Sequence, residues 1–438
     1  MLDVTPEDAA VVATEAAPLA TDVFPGDATE AAVAVGSSAS ARGDAARHGW
    51  RVLAILSALM GFASISTDLY LPAMPAMGEA LGADTGTVEL TVSGYLIGFS
   101  LGQLLWGPIS DRYGRRLPVA VGLILFVIGS AGCALADSAS TLIAARIVQA
   151  VGACASVVLA RAMVRDLYEG NRAAQMLSTL ITVMAIAPLI GPILGAQILA
   201  LAGWRAIFWT RVGFGLATLA ALFTLPETLP AGQRSQESLG RSLMRYGELL
   251  RQRRLLGYAA AGGFFYGGMF AYIAGTPFAY ITYHHVPAQL YGLLFAVGIV
   301  GIMITNTVNA RLVMRFGSDR LLVHGSTAAA FSGLLLAVAA WAGWGGLWGL
   351  VIPLFLFVSA TGFIVANSIA GALADFPKRA GAVSALIGAI HYGSGIIGSA
   401  LVGAFADGTP RPMGLVIALA GVGSLLGALT LLRGSAKA

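Results

Sequence analysis

From residue 50 onward the chain is a succession of apolar runs, each long enough to cross a bilayer and separated from the next by a short polar connection. The runs fall near 50–73, 86–107, 117–136, 140–162, 174–201, 204–225, 255–280, 290–310, 320–341, 348–373, 381–404 and 413–432. A span needs about 20 residues. Inside hydrocarbon every backbone N–H and C=O must be satisfied within the segment, so runs of this kind are helices. The expected fold is therefore all-α and membrane-embedded, with twelve transmembrane helices. Composition points the same way: 57% of the 438 residues are apolar and only 11% are charged. Mean hydropathy is +0.80. So few charges cannot cover a water-soluble surface. The two cysteines, Cys133 and Cys154, sit in apolar runs and read as small buried hydrophobes, which excludes a disulfide scaffold.

The longest connection, 226–254, divides the spans six and six. The expected organisation is a tail (1–49), a first six-helix half (50–225), a linker (226–254) and a second six-helix half (255–438). Residues 1–40 carry Asp3, Glu7, Asp8, Glu15, Asp22, Asp27 and Glu30 and no Lys or Arg. This Ala-rich stretch has too little bulk to offset its ordering entropy, and the expectation for it is disorder. Its start lacks the basic and apolar regions of a signal peptide.

Basic residues set the orientation. Twenty-two of the 26 Lys and Arg fall on the side shared by the tail and the linker. Arg205 and Arg411 fall opposite, while Arg146 and Arg211 lie within spans. Both termini are expected in the cytoplasm. The seven tryptophans lie at or near span ends, as in an interfacial belt.

An internal repeat runs at an offset near 204. Arg112-Tyr113-Gly114 is echoed by Arg315-Phe316-Gly317, Pro72 by Pro277, and Gly191-xxx-Gly195 by Gly395-xxx-Ser399. Three echoes at one offset predict two pseudo-symmetric halves, with a solute site near the midplane between them.

The sharpest motif is Gly107-Pro-Ile-Ser-Asp111-Arg112-Tyr-Gly114-Arg115-Arg116, after the second span. Gly114 suits a tight turn, and Asp111 is one acid among three arginines, placed to cap or pair at a helix end. Here the chain resembles the major facilitator superfamily, whose loop reads G-x-L-a-D-r-x-G-r-k, with Ile109 and Arg116 as mild departures. The fourth span carries Leu142-xxx-Arg146-xx-Gln149-Ala150-x-Gly152, and the fifth carries Ala187-xxx-Gly191-Pro192-xx-Gly195-Ala196. The latter is similar to the antiporter motif, with its first and last glycines replaced by alanine. Small residues at this spacing let helices approach closely, and Pro192 removes a donor and bends its helix. Ser66-Thr-Asp68-Leu-Tyr-Leu-Pro72-Ala-Met-Pro75, together with Arg161-xxx-Arg165-Asp166, resembles the bicyclomycin and chloramphenicol resistance (Bcr/CflA) branch of drug:proton antiporters.

The resemblance spans 50–433. It implies the major facilitator fold and a loop that latches the halves and gates the conformational switch. It further implies drug efflux driven by a proton gradient with no cofactor. The expected setting is the bacterial inner (plasma) membrane, where a monomer in the lipid bilayer takes a small-molecule substrate. A nucleic-acid partner is not implied.

Ionisable residues inside spans are functional candidates by default. Asp68 lies roughly 7 Å and Arg146 roughly 9 Å from the outer ends of their spans, at about 1.5 Å per residue. Matched depth and opposite charge predict a coupling pair across a cavity, with Asp68 as proton carrier. The alternatives are an interfacial acid for Asp68 and a structural pin for Arg146. Arg211, roughly 10 Å deep by the same rise, either touches a solute or snorkels to the interface. Glu89 reads as an interfacial acid, with proton carriage as the alternative. His391 reads as a neutral, hydrogen-bonded ring, with titration as the alternative.

Three transport readings stay open: drug export by exchange for protons, export of an endogenous metabolite, and proton-coupled uptake. An enzyme is not expected. The chain has no H-E-xx-H and no P-loop that would support ATP hydrolysis.

Overall fold

The computed structural model describes residues 49–236, 239–376 and 379–435. The predicted tail, 1–49, lies outside the described residues except for Gly49. The described chain is helical, in the order α1 (Gly49–Asp68), α2 (Met74–Leu81), α3 (Thr85–Tyr113), α4 (Arg116–Ala134), α5 (Ala139–Leu167), α6 (Gly170–Leu222) and α7 (Leu239–Leu249). There follow α8 (Arg253–Pro277), α9 (Ala288–Phe316), α10 (Ser318–Ala342), α11 (Gly346–Ser359), α12 (Thr361–Ala374), α13 (Ala380–Ala404) and α14 (Arg411–Ser435).

Twelve crossings are made from these elements. Ten helical stretches among the described residues are long and apolar enough to span, one of them the 53-residue α6. That helix holds two crossings joined at Gly203, whose φ of 78° is non-helical. A left-handed backbone there lets the chain reverse with almost no loop. The twelfth crossing is α8, long enough at 25 residues but less apolar because of its glycines and tyrosines. α11 and α12 together form one crossing.

The repeat is visible in the helix ends. Gly114 after α3 and Gly317 after α9 both have positive φ, 89° and 77°. Pro72 lies in the 3-10 turn Leu71–Ala73 after α1, and Pro277 precedes the π turn Phe278–Tyr283 after α8. Both first crossings of a half therefore break at their C-terminal ends.

Within the first half α3 and α4 pack on α5, and α1 and α4 pack on α6. Within the second, α10 packs on α14, and α13 and α14 on α8. The halves meet along α3 with α13 and along α6 with α9. Not every tryptophan joins the interfacial belt. Trp106 is buried because its indole N–H donates to the Val151 carbonyl at 2.8 Å, and Trp204 is buried against Phe208.

Candidate functional site

Asp68 is the last residue of α1 and is 4% exposed. Its Oδ1 accepts a hydrogen bond from Thr67 Oγ1 at 2.9 Å. The motif Gly191-Pro192-xx-Gly195 forms the wall beside it. A Cβ on Gly191 would stand 3.2 Å from Asp68 Cβ, and one on Gly195 would collide with the Leu69 carbonyl. Glycine at both positions lets α6 close on the broken end of α1.

Arg146 and Arg211 approach the same place. The Arg146 guanidinium carbon stands 4.3 Å and that of Arg211 5.4 Å from the centre of the Tyr70 ring. Arg146 also lies 4.4 Å from the Tyr95 ring centre. Its Nη1 donates to the Ser66 carbonyl at 2.8 Å and to Gln149 Oε1, and Gln149 Nε2 donates to Ser130 Oγ. The expected Asp68–Arg146 ion pair is therefore not formed. Ser66 carries one of the last carbonyls of α1, which have no partner inside the helix. Arg146 is held there as a cationic cap, favoured by the helix dipole.

Arg211 does not snorkel. It is fully buried, with Trp204 and Phe208 stacked edge to face nearby and its guanidinium carbon 4.9 Å from the Phe208 ring centre. None of its three guanidinium nitrogens has a hydrogen-bond partner among the described residues. Arg211 does interact electrostatically with Asp68 and Arg146. Two cations and one acid thus converge on the end of α1.

The other two candidates lie elsewhere. His391 is buried and stacks on Tyr266 with ring centres 4.5 Å apart. Its Nε2 has no partner among the described residues, against the hydrogen-bonded expectation, because the facing position on α8 is Gly262, which offers no side chain. Glu89 is not interfacial: it is 3% exposed, at the contact between α3 and α13.

The loop between α3 and α4 is the centre of an ionic cluster. Arg115 is 7% exposed. It donates to Asp111 Oδ1 and Ser110 Oγ at 2.6 Å each, and to Asp166 Oδ2 at 2.8 Å. Burial opposes its charge, but the Asp166 and Asp111 carboxylates outweigh burial and hold the guanidinium above its ordinary pKa. Arg116 donates to the Phe223 carbonyl at 2.9 Å. Arg112, by contrast, is exposed and lies over the Tyr113 ring.

Two acids in this cluster are not marked as site residues by the sequence. Asp166 enters there only through the family resemblance. Glu227, in the linker, accepts from the backbone N–H of Arg115 at 2.7 Å and of Arg116 at 3.1 Å, and so caps α4. A side chain on Gly114 would meet the Glu227 carboxylate at 2.7 Å. An acid directly after the sixth span is the available signal. Gly107 faces open space.

Beside this cluster lies a cavity of about 410 Å³ between the halves. Gln103, Asp111, Arg161 and Arg165 of the first half, Tyr246 of α7 and Ser384 of α13 line it. At the other end of α3 the halves are in close contact, with Gly86 against the Gly403 backbone. One side of the midplane is open and the other shut, the asymmetry that alternating access requires.

The profile of the Major Facilitator Superfamily matches residues 55–399. An uncharacterized MFS-type transporter, YdgK of Bacillus subtilis, is 36% identical over 85% of this chain and 93% of its own length. A bicyclomycin resistance protein homolog of Haemophilus influenzae is 31% identical, with 82% and 90% covered. A chloramphenicol resistance protein of Pseudomonas aeruginosa is 32% identical, with 82% and 85% covered. Among solved structures, a variant of the nucleoside transporter NupG superposes with a TM-score of 0.69 at 14% identity, covering 87% of this chain and 98% of its own. The partially occluded inward-open xylose transporter XylE of E. coli superposes with a TM-score of 0.66 at 16% identity, covering 88% and 97%. These two likenesses are of fold. Twelve crossings in two halves, a cavity between them and relatives matched over most of their length lead to one statement: the chain belongs to the major facilitator superfamily and is a multi-pass membrane transporter, with relatives in the bicyclomycin and chloramphenicol resistance branch.

Proposed function

We propose that this protein exports amphipathic small molecules from the cytoplasm in exchange for protons, as a monomer in the bacterial inner membrane with both termini cytoplasmic. The observation that carries the proposal is the buried Asp68, held at the broken end of α1 against Gly191 and within the field of Arg211. The printed names of the bicyclomycin and chloramphenicol resistance relatives support the substrate class.

An acid in so dry a place exchanges protons only when the conformation admits water. Protonation removes its attraction to the Arg211 charge. The two conformations then differ in proton affinity, which is the differential interaction a coupled equilibrium needs. The α3–α4 loop would gate the cavity side by bracing the first half there: Asp111 and Arg115 through ion pairs within that half, Gly114 through its turn and Arg116 through the Phe223 carbonyl, with Arg112 left at the surface.

The test is liposome transport with an imposed pH gradient, with solute binding measured in parallel. Chloramphenicol and bicyclomycin are the first probes. Asp68→Asn should bind solute and lose proton-driven accumulation. Accumulation against a gradient as strong as that of the parent would remove Asp68 from the mechanism.

A further inference from the structure

The shut side of the midplane contains a carboxyl group that the mechanism above does not use. Glu89 sits on α3 between two tight contacts with α13. One turn before it, a Cβ on Gly86 would collide with the Gly403 carbonyl. One turn after it, Ser93 Oγ and Ser399 Oγ are hydrogen-bonded at 2.8 Å. The seam is closed backbone to backbone on either side of the carboxyl group, and Glu89 Oε2 has no hydrogen-bond partner among the described residues.

A cavity of about 30 Å³ lies beside it, room for about one water. Thr85 and Glu89 line it from the first half, and Thr282, Tyr283, Val402 and Thr409 from the second. The charged and titratable groups around it offer no counter-charge. On its own element, Asp84 is exposed and accepts from the Thr87 N–H at 2.7 Å. On α2, Glu79 is exposed. From the π turn comes Tyr283, half-exposed. α13 presents Ser399, Val402 and Gly403, and α8 presents Gly275, none of which titrates. In the following loop Asp407 accepts from Thr409, while Arg411 lies over the Trp341 ring. No basic side chain pairs with Glu89 among the described residues.

We infer that Glu89 is a protonation-linked latch of the shut side: the α3–α13 seam closes over the neutral acid and opens when the acid is ionised. Closing the seam over a carboxylate strips water from Oε2 and supplies that oxygen no partner. Closing it over the protonated acid removes that penalty. Opening admits water, and the O–H proton leaves to it. The proton taken up before closure returns to the same side on reopening, so the latch moves no net charge across the membrane. It adds a condition to the proposed exchange cycle: acid on the shut side favours the conformation that exposes the cavity beside the α3–α4 loop. Raising the pH there favours the opposite conformation.

The inference rests on the alternating-access part of the reading above. It is tested without solute or gradient, so failure of drug or proton exchange leaves it readable. Nitroxides on Leu135→Cys and Phe405→Cys, at exposed ends of α4 and α13, report the seam by electron–electron distance in lipid nanodiscs. The background is Asp68→Asn, which removes the other candidate acid. With Glu89 present, the open fraction should rise about tenfold from acid to alkaline pH. With Glu89→Gln it should stay closed throughout, and Glu89→Asp should keep the response. An unchanged pH response in Glu89→Gln, or its loss in Glu89→Asp, would overturn the inference. So would closure by sodium at fixed alkaline pH and ionic strength, which would make the site a metal-cation site.

Discussion

Ser93 and Ser399 join the two halves by a hydroxyl–hydroxyl hydrogen bond of 2.8 Å, near the middle of the contact between α3 and α13, and Ser100 Oγ adds another by donating to the Ala389 carbonyl at 2.9 Å. Ser93 and Ser399 are fully or nearly fully buried. A contact that must break and re-form in every transport cycle is well served by neutral hydrogen bonds, each worth about 0.5–1.5 kcal/mol net. A buried ion pair at the same place would be far harder to open. The strong ionic contacts lie instead within the first half, around Arg115.

That distribution separates two neighbouring arginines of one motif. Arg115 is paired with Asp111 and Asp166, whereas Arg112 is exposed. Arg115→Ala leaves the part-buried Asp166 and the exposed Asp111 without their cation, a loss of about 1–3 kcal/mol. Its turnover should fall more than its solute affinity. Arg112→Ala should stay within about threefold of the parent, as a surface change does. Liposome flux and equilibrium binding on both variants check the contrast.

Arg211 invites a different experiment. A buried cation with three unpartnered nitrogens is a cost to the folded state. Arg211→Met should raise thermal stability by the equivalent of about 1–3 kcal/mol while weakening the coupling of flux to the pH gradient. Thermal unfolding in detergent and gradient-driven flux are the two readouts. A destabilised variant with normal coupling would show that Arg211 only fills space.

The wall beside Asp68 predicts a steric asymmetry. Gly195→Ala places a methyl group against the Leu69 backbone, which cannot rotate away, and should cost about 1–3 kcal/mol through overpacking. Gly107→Ala enters open space within α3 and should be neutral or slightly stabilising. Melting temperatures of the two purified variants decide this.

Orientation is accessible to labelling, because both native cysteines are buried. Gln233→Cys in the linker should react with a membrane-impermeant thiol reagent only after the cells are opened. Trp344→Cys, between α10 and α11, should react on intact cells. The reverse pattern would invert the proposed topology.

The crossings were legible because the bilayer demands long apolar runs, and the one disagreement in form, the merged α6, arises because Gly203 turns the chain without a loop. The close approach at Gly191 and Gly195 was also legible, since small residues in a span have few other uses. Side-chain partnerships were not. Arg146 matched Asp68 in depth and charge, yet depth says nothing of the Ser66 carbonyl that α1 leaves free when it ends. Glu227 looked like any solvated linker acid, because its partners are backbone N–H groups far back in the chain. Glu89 lies near a span end in the sequence, and only the arrival of α13 from the other half buries it.

The cap on α4 has a consequence for how the protein is made. Glu227 lies 112 residues downstream of the N–H of Arg115 that it holds. During synthesis α4 enters the membrane before this cap exists, while α5 and both legs of α6 are still to be threaded. Only when the linker clears the ribosome can its carboxylate reach back and fasten the loop. The acid thus ties the start of the third crossing to the end of the sixth, so this cap forms only after six crossings have been made.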